Sequence, residues 1–368
     1  MHNLFGALEI MDEFKLNNER FISFLPLSHS YERMAGLYFP ILINAQIYFC
    51  SSTDKLLNEI KETKPTILSA VPRLYENIFK KIKLQVTKTN FIISFFLKII
   101  FESLDFKKKH NIVENFLSKI FIKLILEKKI KNLLGGKIKI LISGGAALNP
   151  EIGFFFNKLN LTLLQGYGQT EASPLISCNR RFSNNPKTVG PPVRNVQVKI
   201  SEEGEILVKG MNLMQGYWKK PVMTKKTIIN GWLHTGDLGE IDKQGRIIIT
   251  GRKKDLIITS GGDNISGQRI ENILMSFNEI SQVVVYGDNR PYLIALIKIS
   301  EGNNETDLKK VLEVVNKNLN SIEKIRKFIV FEQELTYENG LMTQTMKIKR
   351  KKVLDFYHEQ ISKLYKSL

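Results

Sequence analysis

Cysteine is scarce in this 368-residue chain: Cys50 and Cys178 are the only two, and their spacing suits neither a disulfide framework nor a Cys-based zinc site. A stapled secreted scaffold is excluded, and a reducing compartment is expected. Long apolar runs are missing too. The longest, Phe91 to Phe101, has 11 residues and contains Ser94 and Lys98, well short of the roughly 20 that cross a bilayer. Met1-His2-Asn3-Leu4 lacks a basic stretch leading into an apolar run, so no secretory signal is expected. Acidic residues are in deficit, 36 against 54 Lys+Arg, for a net charge of +18. That balance points first to an anionic partner: nucleic acid, a phospholipid surface or a phosphorylated small molecule. What is present is ample core material, 43% hydrophobic with 10% aromatic. Disordered, collagen-like and polytopic membrane classes are therefore excluded, and the length suits two or three domains.

The excess charge is local. Residues 80–139 carry 15 lysines against four acidic residues, and the last 28 residues carry a further +5. Ile112, Phe116, Ile120 and Leu124 recur every fourth residue, with Lys119, Lys123 and Lys128 elsewhere on the turn. This pattern predicts a basic amphipathic helical insertion over 80–139. It suits a helical pair packed on the body with a solvated lysine face, or docking to an anionic membrane surface. No zinc finger, RNA-recognition signature or basic zipper is visible, and nucleic acid is not an expected partner.

Along the chain, Phe21–Leu25, Ile47–Cys50 and Thr66–Ala70 read as strands around a helix over Asp54–Thr63. Ile138–Ile142 enters Ser143-Gly144-Gly145-Ala146, and Asn149-Pro150 starts a helix as N-cap and first residue. Leu161–Leu164 leads into Gly166-Tyr167-Gly168. Strand–helix alternation predicts an α/β fold with a parallel, doubly wound sheet over 1–185. From 186 to 251, short alternating strands predict a small β-rich subdomain. Residues 252–368 predict a compact α+β unit: a helix from Ser266 to about Phe277, strands Gln282–Tyr286 and Tyr292–Lys298, and a helix over Asp307–Asn318.

Four runs carry chemistry-bearing residues. Gly166-Tyr167-Gly168-Gln169-Thr170-Glu171 follows a strand: small residues admit a ligand to the backbone, Tyr167 offers a stacking face, and Glu171 is a hard oxygen ligand for Mg²⁺. Taken alone it also reads as a tight strand-exit turn. Trp232–Gly239 holds Asp237 between glycines, suited to a ribose diol or to an Asp-containing turn. Gly251-Arg252-Lys253-Lys254-Asp255 sits where the architecture changes, suited to a hinge. Gly340–Lys352 presents Lys347, as a loop that delivers a cation or as a basic tail.

Together, in this order, the runs resemble the adenylate-forming (AMP-binding) superfamily, and within it the long-chain acyl-CoA synthetases. Phe24-Leu25-Pro26-Leu27-Ser28-His29-Ser30-Tyr31-Glu32-Arg33 looks like that subgroup's LPLSH-xx-ER signature. Ser143–Ala146, Tyr167–Glu171, Trp232–Gly239 and Gly245–Ser266 match later motifs in order, so the resemblance covers essentially the whole chain. It implies the C-terminal part of the adenylate-forming fold followed by a small mobile lid domain, and an enzyme that uses ATP, Mg²⁺ and coenzyme A on a fatty acid. Gly144, Gly145, Ala146, Gln165, Gly166 and Gly168 would then frame the adenine and acyl pocket, with Tyr167 against the adenine. Thr170 would meet phosphate and Glu171 the metal. Asp237 and Arg252 would hold the ribose hydroxyls, Lys254 the hinge, and Lys347 the charge of adenylation. Gly261 and Gly262 would line the pantetheine path, and His29 the acyl path unless it is a structural histidine.

Three departures accompany the resemblance. The family's Thr-Pro-Thr approach to the lysine is Thr343-Gln344-Thr345, and its Ile-Ser-Pro is Ile265-Ser266-Gly267. The family's phosphate loop, ending in Pro-Lys-Gly, precedes a stretch that Met1-His2-Asn3-Leu4 resembles. The expectation is therefore an N-terminally truncated chain that makes no acyl-CoA alone: a truncated reading frame, a gene fragment, or one half of a split enzyme that needs a separately encoded N-terminal half. A non-catalytic AMP- or acyl-binding fragment and an acyl-carrier-protein synthetase remain alternatives. The expected location is cytoplasmic, with peripheral contact at the inner face of the membrane.

Overall fold

A computed structural model describes residues 1–87, 127–343 and 347–366. Most of the basic insertion, with its Ile112–Leu124 repeat, lies outside the described residues. The chain forms two compact units, one comprising Met1–Thr235 with Gly239–Ile249, the other Gly236–Leu238 with Thr250–Leu368.

In the first unit, β1 (Arg20–Ser23), β2 (Gln46–Phe49), β3 (Ile67–Ala70), β4 (Ile140–Ser143), β5 (Thr162–Gly168) and β6 (Leu175–Cys178) make one sheet in the order β2-β1-β3-β4-β5-β6. The first five strands are parallel and β6 runs antiparallel to β5. Adjacent residues of each strand face opposite cores, as the period of two requires. Ile22, Leu68, Leu141 and Leu163 pack with Ile60, Tyr75, Phe79, Phe155 and Phe156 on the face of helices Leu56–Thr63, Pro72–Thr87 and Pro150–Lys158. Phe21, Ile67, Ile140 and Leu164 turn the other way, toward Ile10, Met11 and Phe39. Both faces are covered, so the strands are apolar throughout.

Asn149 caps its helix by accepting the Glu151 amide at 2.9 Å, with Pro150 in the first turn, as the sequence predicts. Part of the basic segment is ordinary core and surface: Ile130, Leu134 and Ile138 are buried, Lys131 pairs with Glu127 at 2.6 Å, and Lys139 with Glu19 at 2.5 Å. A second sheet has the order β11-β10-β8-β7, from Val196–Ile200 (β7), Glu205–Gly210 (β8), Trp232–Ile241 (β10) and Ile247–Arg252 (β11), with the two-residue β9 (Ile228–Ile229) on β10.

Two segments read as turns are strands. Gly166-Tyr167-Gly168 continues β5 and pairs with Cys178, Ser177 and Leu175, and Trp232–Gly239 lies inside the ten-residue β10. Glycines weaken a local strand signal, but sheet partners supply the pairing. At Gly168 the strand passes so close to the Pro174 carbonyl that a side chain has no room.

The second unit begins with the hairpin of β12 (Leu256–Ile258) and β13 (Asn264–Ser266), then a three-stranded sheet β14-β15-β16 of Ile280–Tyr286, Leu293–Ile299 and Ile325–Val330. Val283, Val285, Leu293 and Ala295 face helices Gly267–Met275 and Glu305–Asn318, whereas Val284, Ile294 and Leu296 face helices Arg350–Phe356 and His358–Lys366. Asn304 and Asp307 form a reciprocal capping box at the start of Glu305–Asn318. Among the described residues no helix is long and apolar enough to cross a membrane.

Candidate functional site

Parallel strands end on one edge, and ligand sites in open α/β sheets form beyond their carboxyl ends. In the first unit the Phe24–Ser30 loop after β1, the Gly144–Ala147 loop after β4 and the Thr170–Ala172 turn after β5 all leave that edge. Side-chain contacts bring these loops together. The Ser30 and Thr170 hydroxyls lie 3.2 Å apart. The Tyr31 ring packs on Gly144, where an added Cβ would come within 2.8 Å of the ring, so glycine is required. Gly145 takes φ +82°, the left-handed region natural to glycine. Gln165 accepts the Leu148 amide at 3.3 Å, pinning the end of the Gly144–Ala147 loop to β5.

Glu171 is half-buried, and its Oε1 accepts the Tyr217 hydroxyl at 2.7 Å. Desolvation first, then the hydrogen bond to Glu171 and its charge, raises the Tyr217 phenol above its ordinary value, so it stays a donor. Tyr217→Phe is expected to cost about 1.5–3 kcal/mol in urea unfolding, the range for a bond to a charged acceptor; an unchanged midpoint would show the bond to be incidental. Thr170 is exposed, and Tyr167, 8% exposed, packs with Ile176, Val189, Ile206 and Leu233. His29 caps the turn after the Phe24–Ser28 segment, its Nδ1 accepting the Tyr31 amide at 3.3 Å.

Glu32 and Arg33 of the same signature clamp that loop. Glu32 is 1% exposed, and its Oε1 accepts the Ser23 hydroxyl at 2.7 Å and the Phe24 amide at 3.2 Å, while Arg33 Nε donates to the Leu27 carbonyl at 3.0 Å. Burial pushes the Glu32 carboxyl up to about 7, against the Ser23, Phe24 and Leu25 hydrogen bonds that favour its charged form. Gly36 is needed beside it, since a Cβ there would fall on the carboxylate carbon at 2.7 Å.

In the second unit three residues from three separate motifs converge. Asp237, 6% exposed, accepts Arg252 Nε at 2.6 Å. Lys347 is exposed, and the charges of Arg252 and Asp237 both act on its ammonium. Desolvation by surrounding protein lowers its pKa most, Arg252 lowers it further, and Asp237 pulls it back up. Lys254 is exposed in the turn Lys253–Asp255 between β11 and β12. Gly261 and Gly262 form the tip of the β12–β13 hairpin, where Gly262 takes φ +84° and Thr259 and Asp263 close the turn through backbone and side-chain bonds. Ser266 caps the next helix, and Gly267 is held to glycine by Ile257, 2.9 Å from a Cβ position.

Comparison with known proteins decides what this arrangement belongs to. Residues 1–218 match the family model described as AMP-binding enzyme, and residues 254–368 match that of the AMP-binding enzyme C-terminal domain. The chain belongs to the AMP-binding enzyme family. Among its relatives, the long-chain-fatty-acid–CoA ligase FadD15 of Mycobacterium bovis is 30% identical over 99% of this chain and 65% of its own length. The long-chain-fatty-acid–CoA ligase 5 of Mus musculus is 31% identical over 94% of this chain and 56% of its own length. The chain therefore spans about two thirds or less of the length of these relatives. The A-PCP didomain of carboxylic acid reductase from Segniliparus rugosus, in complex with AMP, has the same fold: TM-score 0.76 at 24% identity, over 97% of this chain and 49% of that one.

Within the family frame, sequence reasoning missed Tyr217, Asn3 and Asn212. Asn3 and Asn212 side chains both donate to the Ala172 and Leu175 carbonyls at 2.9–3.1 Å, fixing the segment after Glu171. No local pattern marks such residues, because their partners lie 37 to 172 positions away.

Proposed function

We propose that this chain carries the nucleotide and acyl-transfer chemistry of a long-chain fatty acid–CoA ligase. The observation that supports it most is the convergence of Asp237, Arg252 and Lys347, from three separate motifs, in one unit. Asp237 accepts the ribose hydroxyls, with Arg252 holding the carboxylate in place. Thr170 meets a phosphate oxygen, and Gly144–Ala146 with Gln165, Gly166 and Gly168 leave room for base and acyl carbonyl, Tyr167 lying against the base.

A fatty carboxylate oxygen bonds to the α-phosphorus of ATP as the bond to pyrophosphate breaks. Lys347 steadies the negative charge spread over the phosphoryl oxygens, a role that needs orientation and a preorganised cation. The lid then turns about Lys254, the Gly261-Gly262 hairpin lines the pantetheine path, the CoA thiolate bonds to the acyl carbon, and AMP departs. His29 orders the loop along the acyl path through its cap on Tyr31.

Mg²⁺ fits Glu171. Among the described residues no cluster of three or more His, Cys, Asp or Glu forms a protein cage, and Mg²⁺ is commonly held by one or two carboxylates plus substrate phosphates. When bound it supplies charge neutralisation at those phosphates. We place the protein in the cytoplasm, with peripheral contact at an anionic membrane surface.

AMP titration tests the nucleotide reading. Asp237→Ala removes two charge-assisted hydrogen bonds and is expected to weaken AMP binding about 10²-fold or more. Isothermal titration showing equal affinity in both proteins would refute it.

A further inference from the structure

Lys347 stands on little of its own. Its amide donates to Thr343 Oγ1 at 3.0 Å, its carbonyl accepts the Thr343 amide at 2.8 Å, and the Lys349 amide donates to the Leu341 carbonyl at 2.8 Å. These bonds tie the segment to itself. Leu341, Met342 and Ile348 pack on the core with Val284 and Ile294, and a charged tie to the rest of the unit comes three residues after Lys347.

Arg350 opens the helix Arg350–Phe356 and sends its guanidinium inward. Nη2 lies 2.7 Å from Glu271 Oε1 and 2.8 Å from Oε2, and Nη1 donates to the Val285 carbonyl at 2.7 Å. Glu271 Oε1 also accepts the Val285 amide at 2.7 Å. One residue of β14 thus has its N–H taken by the carboxylate and its C=O by the guanidinium. β14 is an edge strand in the order β14-β15-β16, and an edge backbone left open must find other partners. The ion pair supplies them as a neighbouring strand would.

Glu271 sits in the helix Gly267–Met275, whose Ser266 cap directly follows the hairpin bearing Gly261 and Gly262. The same pair therefore meets both segments assigned to the two half-reactions, the Lys347 loop through Arg350 and the glycine hairpin through Glu271, on a single strand position.

We propose that Glu271 and Arg350 are positioning residues that set where Lys347 stands, by registering its loop to Val285 of β14. Neither touches substrate. A guanidinium is required because one group spans a carboxylate and a carbonyl, which a lysine ammonium, a single point donor, does not. The consequence for catalysis rests on the role given to Lys347 above; the anchoring itself does not.

Hydrogen-exchange mass spectrometry on the full chain tests the anchoring directly. In Arg350→Lys and in Glu271→Gln, the Lys347 and Lys349 amides are expected to exchange about tenfold faster or more, while the Leu293–Ile299 amides of β15 keep their protection. Unchanged exchange at Lys347 and Lys349 would overturn the proposal, and so would an equal loss across β15, which would mark the pair as general scaffold. In an assembly completed to the length of its relatives, ATP–pyrophosphate exchange with a long-chain fatty acid is expected to fall about 10²-fold in Arg350→Lys, with AMP affinity retained through Asp237 and Arg252. Loosened amides with an undiminished exchange rate would leave the anchoring standing and refute the role of Lys347.

Discussion

In an assembly completed to the length of its relatives, Lys347→Ala is expected to slow ATP–pyrophosphate exchange by about 10²–10³-fold while leaving AMP affinity within about twofold. Removing one preorganised donor aimed at developing charge costs about 2.7–4 kcal/mol of transition-state stabilisation. The ground-state contacts assigned to AMP lie on Asp237 and Arg252 instead. A rate loss without an affinity loss separates this role from that of a general anion-binding lysine, which would lose both. The pH dependence adds a second mark. The Lys347 pKa lies below the ordinary lysine value through desolvation and Arg252 repulsion, so the charged form is lost on the alkaline side earlier than for a free lysine. Asp237→Asn deletes the opposing attraction and moves that limb to lower pH still. An exchange rate indifferent to Lys347→Ala would refute the assignment outright.

Relative to Glu32→Gln, the wild type is expected in urea unfolding to lose up to roughly 3 kcal/mol of stability between about pH 4.5 and 7. The folded protein holds the Glu32 proton to about 7, whereas the ordinary glutamate value is 4.5. Between those values the native state binds more protons than the unfolded chain, so raising the pH favours unfolding, and the loss is complete above 7. In the Glu32→Gln protein the amide oxygen would still accept from the Ser23 and Phe24 donors, so the difference between the two proteins reports charge burial rather than a missing bond. The same pH slope in both would refute it. This buried acid supports the Phe24–Ser30 loop, which explains why a Glu-Arg pair follows Leu-Pro-Leu-Ser-His: the acid holds the start of the loop and Arg33 holds its Leu27 carbonyl.

Much of the fold was legible locally. The Asn149-Pro150 helix start, the strands at Val196–Ile200 and Gln282–Tyr286 and the Ser266 helix were read from residue type and period, and appear within one or two residues of those positions. Errors fell on glycine-rich strands. β5 through Gly168 and β10 through Gly236 look like turns because glycine dilutes the apolar alternation, and only their sheet partners make them strands.

The sequence by itself determined the doubly wound order of elements, the succession of motifs and hence the family, because helix caps, alternation and motif spacing are properties of neighbouring residues. Tertiary structure alone decided which side chains support the site. Tyr217 meets Glu171 across 46 positions, and Arg350 meets Glu271 across 79. Such pairs are set by how strands and helices stack, and a carboxylate far along the chain carries no local sign of the cation or hydroxyl that packing will bring to it.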